Sequence, residues 1–289
     1  MVGVSPAYFI SLFSEDFTLS EVIGELPRLA GLGFTQVELE TFSAKQLQQW
    51  DVNHTKALAD RIQELGLGVS QFVGHHLLHY FSRHELFQRA ELIDDFKKIL
   101  RLVSFFPTCK VVTIPQPGFH MGDDLSPGMY RRIKQDYCDT LSRLLDYAAS
   151  KSLTLALEIL PGSLIGNSDG FLYLADTLGA PHLGYNFDTG HAWACKEAIA
   201  LIPSKLGTRI VCTHLSDNFG HENLSLSPGR GSVPWIDVFT SLKAAGYSGP
   251  YDIEIRCDKE AVPDEYSFAS RFLNTIFQKL MEVHHAAHS

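Results

Sequence analysis

The sequence predicts an α/β fold, a single (β/α)8 barrel over residues 1–289, on three observations. Eight short apolar runs alternate with longer amphipathic stretches, the βα repeat of such a barrel. The runs are near-continuously apolar, as strands buried on both faces of a parallel sheet are. No G-x-G-x-x-G follows the first run and no Walker loop occurs, so an open doubly wound sheet lacks its usual cofactor support.

In chain order the candidate strands are AYFISLF (7–13), TQVELE (35–40), LGVSQFV (67–73), KVVTIPQ (110–116), LTLALEI (153–159), LGYNFD (183–188), IVCTHLS (210–216) and YDIEIR (251–256). After the first, SEVIGELPRLAGLG carries Val22, Ile23, Leu26 and Leu29 at helical spacing, with Pro27 costing it a hydrogen bond. HTKALADRIQELGLG repeats Leu58, Ile62 and Leu65 and stops on Gly66, a helix-ending glycine. Segment 74–109 has room for a helix and an extra loop, expected as a lid or rim at the mouth. MYRRIKQDYCDTLSRLLDYAASK sets Tyr130, Ile133, Tyr137, Leu141, Leu144 and Ala148 on one stripe. WIDVFTSLKAAGYSG and EYSFASRFLNTIFQKLMEV read the same way. The tail VHHAAHS reads as a frayed end with solvated histidines.

Composition bounds the partners. A hydrophobic share of 45% and a charged share of 20% fit a globular chain. A formal net charge of -9 and the lack of basic runs argue against nucleic-acid binding. No apolar stretch reaches the ~18 residues of a membrane helix, and MVGVSPAYFISLF lacks the basic start of a signal peptide. Cys109, Cys138, Cys195, Cys212 and Cys257 are scattered, without a CxxC, as in a reducing compartment. The expectation is a cytoplasmic protein with a small-molecule partner and no membrane; homo-oligomerisation is left open.

The strand ends carry the chemistry, because the C-terminal face of such a barrel holds the active site. Glu158 ends the fifth run, Asp188 the sixth with His191 following, His214 lies in the seventh and Glu254 in the eighth. Each has a plainer role when taken alone: an arginine partner for either glutamate, a helix N-cap for Asp188, a hydrogen-bonded core position for His214. Four on consecutive strand ends point instead to a shared site, because a buried carboxylate must be paired, protonated or metal-bound. The set Glu158, Asp188, His214 and Glu254 suits Mn²⁺, Mg²⁺, Co²⁺ or Zn²⁺.

LEI, FDTGH, HLSDN, PGRGSVPW and GYSGPYDIEI, between residues 153 and 256, resemble the xylose-isomerase-like TIM barrels. That superfamily contains sugar epimerases, inosose dehydratases and isomerases, 3-dehydroshikimate dehydratases and abasic-site endonucleases. The resemblance implies that Glu158, Asp188, His214 and Glu254 are metal ligands. It makes Glu158 and Glu254 the catalytic pair, moving a proton beside a carbonyl through an enediolate. It makes His191 a contact to a substrate oxygen. His75 and His76, just past the third run, are further candidates for substrate binding. The implied activity is a metal-dependent isomerase or epimerase of a sugar or cyclitol. The alternative is a dehydratase of an inosose-like or dehydroshikimate-like keto substrate.

Leu164 stands where the epimerases carry a second glutamate, and HLSDNFGHEN lacks their arginine, so their sugar specificity is not carried over. Specificity is expected in the early loops, with Phe13, Glu38, Glu40, His75 and Phe119; alternation puts Glu38 and Glu40 on one face without saying which. A nuclease would recruit His76, His120, His191 and His221 to a zinc cluster, but Phe219 replaces the aspartate expected before His221. A non-catalytic sugar-binding protein is the reading from a different class.

Overall fold

The computed structural model describes residues 1–124 and 126–286. Eight parallel strands close into a barrel in sequence order. They are β1 (Val2–Val4), β2 (Gln36–Glu40), β3 (Gly68–Val73), β4 (Val111–Gln116), β5 (Thr154–Ile159), β6 (Leu183–Asp188), β7 (Ile210–Leu215) and β8 (Tyr251–Ile253).

The last seven lie inside the runs read from the sequence. The first does not: AYFISLF forms the helix Ala7–Phe13, and β1 is the VGV upstream. Ala7, Tyr8, Phe9, Ile10 and Leu12 are all buried. A run so apolar carries no period by which to tell a strand from a buried helix. Pro6 was the discriminating residue, because it has no N–H for a sheet ladder yet suits the start of a helix. β8 is also shorter than its run. Glu254 sits one residue past it, and its N–H donates to the Leu215 carbonyl at 3.0 Å.

The helices follow their local signals. Leu19–Gly31 stays continuous through Pro27, which is exposed. Its start is a capping box in which Thr18 and Glu21 satisfy each other's backbone N–H groups. Val52–Glu64 ends as expected at Gly66, with φ +67°. There the Leu67 N–H reaches the Ile62 carbonyl and the Gly66 N–H the Gln63 carbonyl, a Schellman closure. Segment 74–109 forms 3-10 turns at His75–Phe81 and His84–Leu86, then the helix Ala90–Val103.

In Pro127–Ala149 the expected stripe is buried from Ile133 to Ala148, but Tyr130 is 45% exposed. In the first turn it lines an outer cleft beside Tyr173 instead. Helix Val262–Ala286 takes in the first part of the tail expected to fray, while 287–289 lie outside the described residues. No helix among the described residues is long and apolar enough to cross a membrane.

Strand alternation sorts the barrel into two faces. Val112, Ile114, Leu155, Leu157, Phe187 and Leu215 point outward into the main apolar core beneath the helices. The inward positions form layers. Val111, Ala156 and Cys212 make a small separate apolar cluster. Two residues further along their strands, Thr113, Glu158 and His214 enter a buried polar layer. Gly3 of β1 belongs to this lumen. A Cβ there would lie 2.1 Å from Asp252 Oδ1, so the glycine leaves room for that carboxylate.

Two register shifts modify the alternation. Between β2 and β3, Val37 pairs with Val69 but Leu39 with Phe72, so β3 holds one extra residue. That bulge turns two successive polar residues inward: Ser70 toward Asp252 and Gln71 toward Glu38. A similar shift lies between β6 and β7.

Candidate active site

The structure brings Glu158, Asp188, His214 and Glu254 together, with one ligand-type atom from each lying within 4.8 Å of the others. His214 Nδ1 is 3.0 Å from Glu158 Oε1, 3.4 Å from Glu254 Oε2 and 3.9 Å from Asp188 Oδ2. Asp188 divides its carboxylate. Oδ1 accepts the His191 N–H at 2.7 Å and caps the helix Thr189–Ala194. Oδ2 is buried and has no hydrogen-bond partner. Both readings of Asp188 therefore apply, one to each oxygen.

Gly190 is required for steric reasons. It is not in the left-handed region; a Cβ there would lie 2.2 Å from Ser216 Oγ and 2.4 Å from Asn223 Oδ1. Close approach of neighbouring loops requires the glycine.

The electrostatics are those of a cluster short of positive charge. Burial pushes Glu254 well above the carboxylate range, and Asp188 and Glu158 nearby add to it against the pull of His214. Asp188 is raised too, first by burial. Burial also opposes ionisation of Glu158, yet His214 and His191 hold it down to about 2. Burial would lower His214, but Glu254, Glu38 and Glu158 keep it well above the usual histidine range. One imidazole cannot serve this many carboxylates. The orphaned Asp188 Oδ2 and a donor set of three carboxylates and one imidazole fit a divalent ion with positions open to substrate.

Above the cluster lies a cavity of about 240 Å³. That is below the ~300 Å³ at which drug-sized ligand sites begin, so it suits a small polar molecule. Its walls are unlike: Ile10, Phe42, Pro115 and Leu160 give an apolar side, while His75, Glu40, His191 and Arg256 add polar groups. His191 Nε2 lies 3.7 Å from Asp188 Oδ2. His75 Nδ1 pairs with Glu40 Oε1 at 2.9 Å, and its ring lies 4.9 Å from that of Phe42. Burial alone would lower His75, but Glu40 raises it; Glu40 in turn is raised by burial and eased by His75.

Other sequence candidates fall elsewhere. His76 does not line the cavity: its ring is buried, with Nδ1 2.8 Å from the Thr41 hydroxyl and Asp95 and Lys98 as its charged neighbours. Successive residues of a 3-10 turn point about a third of a turn apart, so His75 and His76 cannot share a wall. Phe13 and Phe119 do not line the cavity either; Phe119 packs on Phe87. His120 and His221 are exposed and, like His76, stand outside the one metal-type group found among the described residues. The nuclease cluster is therefore not assembled among them. PGRG forms the loop before the helix Trp235–Ala244, and buried Asp217 holds it by accepting from Gly229 N, Val233 N and Trp235 Nε1.

Sequence reasoning missed the layer beneath. Gln71, Thr113, Asn186 and Asp252 are fully buried in the lumen, and Glu38 joins them. Burial pushes both Asp252 and Glu38 above the usual carboxylate range, the latter against the pull of His214. The available signal was a polar residue in the middle of each apolar run: Gln71 in GVSQFV, Thr113 in VVTIPQ, Asn186 in LGYNFD.

A family model described as a xylose isomerase-like TIM barrel matches residues 26–276. The chain belongs to the xylose isomerase-like TIM barrel family. Its relatives include sugar epimerases. The L-ribulose-5-phosphate 3-epimerase UlaE of Escherichia coli is 25% identical over 229 residues, covering 78% of each chain. Among solved structures, a D-tagatose 3-epimerase-like protein superposes with a TM-score of 0.75 at 20% identity, over 96% of this chain and 99% of that one. An IolI protein with a bound zinc atom gives 0.76 at 18% identity, over 96% and 98%. The chain spans 59% and 57% of the length of two curated relatives it matches, from Methanocaldococcus jannaschii and Sinorhizobium fredii.

Proposed function

We propose that the protein is a divalent-metal-dependent isomerase or epimerase of a small sugar or cyclitol, working by proton transfer beside a carbonyl. One observation carries the reading. Glu158 and Glu254 approach the same nitrogen of His214, at 3.0 and 3.4 Å, and both open onto one small cavity. A carbon acid beside a carbonyl needs a base, an acid and an electrophile in one place.

Glu158, Asp188, His214 and Glu254 would hold the ion. When bound, it would supply electrophilic polarisation of the substrate's carbonyl oxygen. The chain's own residues do the rest. One glutamate, as carboxylate, removes the proton, and the other, as the protonated acid, returns one to the enediolate. His191 Nε2 and His75, both on the cavity wall, orient substrate hydroxyls. Ile10, Phe42, Pro115 and Leu160 shield the reacting carbon from bulk water. The zinc of the IolI structure and the epimerase activity in the UlaE name support the ion and the reaction class. The five free cysteines suit the reducing cytoplasm.

Incubation with polyhydroxy ketones in D₂O, after loading with Mn²⁺ or Co²⁺, tests the reading. Deuterium incorporation without loss of water is expected. Elemental analysis finding no bound divalent metal after loading would refute it and favour a non-catalytic sugar-binding protein. The His75–Glu40 pair supports a second reading, a dehydratase of an inosose-like or dehydroshikimate-like substrate, because it adds an acid that could protonate a leaving hydroxyl. A new conjugated-enone absorbance would favour it.

A further inference from the structure

The two nitrogens of His214 face different worlds. Nδ1 faces Glu158, Asp188 and Glu254. Nε2 faces down into the lumen, 2.8 Å from Glu38 Oε2. Glu38 is 1% exposed, and its other oxygen has no hydrogen-bond partner. It is buttressed from the neighbouring strands. Gln71 Nε2 donates to Glu38 Oε2 at 2.7 Å, and the Thr113 hydroxyl donates to Gln71 Oε1. The Glu38 oxygen takes the Gln71 NH₂, which leaves the Gln71 oxygen to accept from the Thr113 hydroxyl. Gln71 faces this layer together with Ser70 because of the β3 bulge.

An imidazole that ligates through one nitrogen carries its proton on the other, and the acceptor of that N–H sets tautomer and ring angle. A carboxylate left this deep with a free oxygen is costly, and an apolar residue of similar size would pack without that cost.

We propose that Glu38 is the positioning residue of His214. It accepts the Nε2–H and so presents the Nδ1 lone pair to the Glu158, Asp188 and Glu254 side, while Gln71 and Thr113 hold Glu38 in place. The proposal rests on the reading of those four residues as a metal site. The competing arrangement has Nε2 accepting from Gln71 Nε2, 3.0 Å away, with the Nδ1–H turned to Glu158. That tautomer offers no lone pair at Nδ1.

Zinc titration and imidazole nitrogen NMR of the full chain and its Glu38→Leu and Glu38→Gln variants decide between them. In the Zn²⁺-loaded wild type the expected spectrum has Nδ1 as the perturbed nitrogen and a slowly exchanging, downfield Nε2–H on His214. Glu38→Leu is expected to weaken Zn²⁺ binding about 10- to 100-fold and to lose that signal. Glu38→Gln keeps an acceptor oxygen, so it should recover part of the affinity, with the Nε2–H shifted upfield because a neutral acceptor is weaker.

Perturbation of Nε2 instead of Nδ1, or Zn²⁺ binding by Glu38→Leu as tight as wild type, would overturn the role of Glu38 and leave the metal site standing. Should Glu38→Leu fail to fold, the near-isosteric Glu38→Gln decides: an unmoved Nε2–H with unchanged affinity refutes the proposal. A wild type that binds no Zn²⁺ refutes the metal reading itself, and this proposal with it.

Discussion

The same eight strands present two unlike surfaces. Outward, Val112, Ile114, Leu155, Leu157, Phe187 and Leu215 are buried against helices and carry no charge. Inward, Thr113, Glu158, Asn186, Asp188, His214 and Asp252 are equally buried, yet every one is polar. Burial alone therefore does not separate scaffold from site; the chemistry of the buried atom does. The outer wall is stabilised by removing apolar surface from water. The lumen gathers carboxylates at a desolvation cost that the protein's own groups do not fully offset, with Asp188 Oδ2, Glu38 Oε1 and both Asp252 oxygens lacking hydrogen-bond partners. The wall is built for stability, while the lumen gathers groups that folding alone would avoid.

Substitutions should divide along the same line. The largest effect is expected inside. Glu158→Gln or Glu254→Gln should lower turnover about 10²- to 10⁴-fold, the usual worth of an acid–base group, with an unchanged circular dichroism spectrum. A variant that turns over normally would remove that glutamate from the chemistry.

Next comes the wall. Leu157→Ala, at a fully buried outward position, should cost about 2–5 kcal/mol in denaturant unfolding. Metal affinity of the molecules that remain folded should not change. A change would mean that the two faces are coupled.

Asp188 lets the two contributions be separated at one residue. Asp188→Asn keeps an oxygen to cap the helix Thr189–Ala194 but loses the charge, so metal affinity should fall with little change in stability. Asp188→Ala should lose the affinity and in addition about 1 kcal/mol from the missing cap. Paired titration and unfolding measurements check both.

The smallest effect concerns His76, which is buried outside the lumen. Burial lowers its pKa below the ordinary 6.5, so on acidification the unfolded chain takes up a proton that the folded chain refuses. The contribution of His76 to stability is complete above pH 6.5 and is lost as pH falls toward the folded value. His76→Gln should flatten that part of the pH–stability curve while leaving metal binding intact. An unchanged curve would show that another group sets the acid limb.

The candidate site was more legible than the chain's beginning. Glu158, Asp188, His214 and Glu254 stood out because a charge inside an apolar run is costly, and four such costs at matching strand ends share one explanation. AYFISLF misled for the opposite reason: with every position but Ser11 apolar it shows no clear period, and only Pro6 marked it as helix. His75 and His76 look alike in sequence and separate only in space, one on the cavity wall and one against Thr41.

By itself the sequence determined the general alternation of strands and helices, the closing of the second helix read from it at Gly66, and the four polar strand ends, because these are set by local pattern and by the cost of burying charge. Tertiary structure alone decided that Glu38 lies beneath His214 while Glu40 meets His75 at the mouth. It also decided that Gln71 faces the lumen and that Gly190 serves close packing. Each of those depends on how segments apart in the chain meet, through strand register, a bulge in β3 or the approach of two loops, and such a meeting is a relation that neither segment encodes alone.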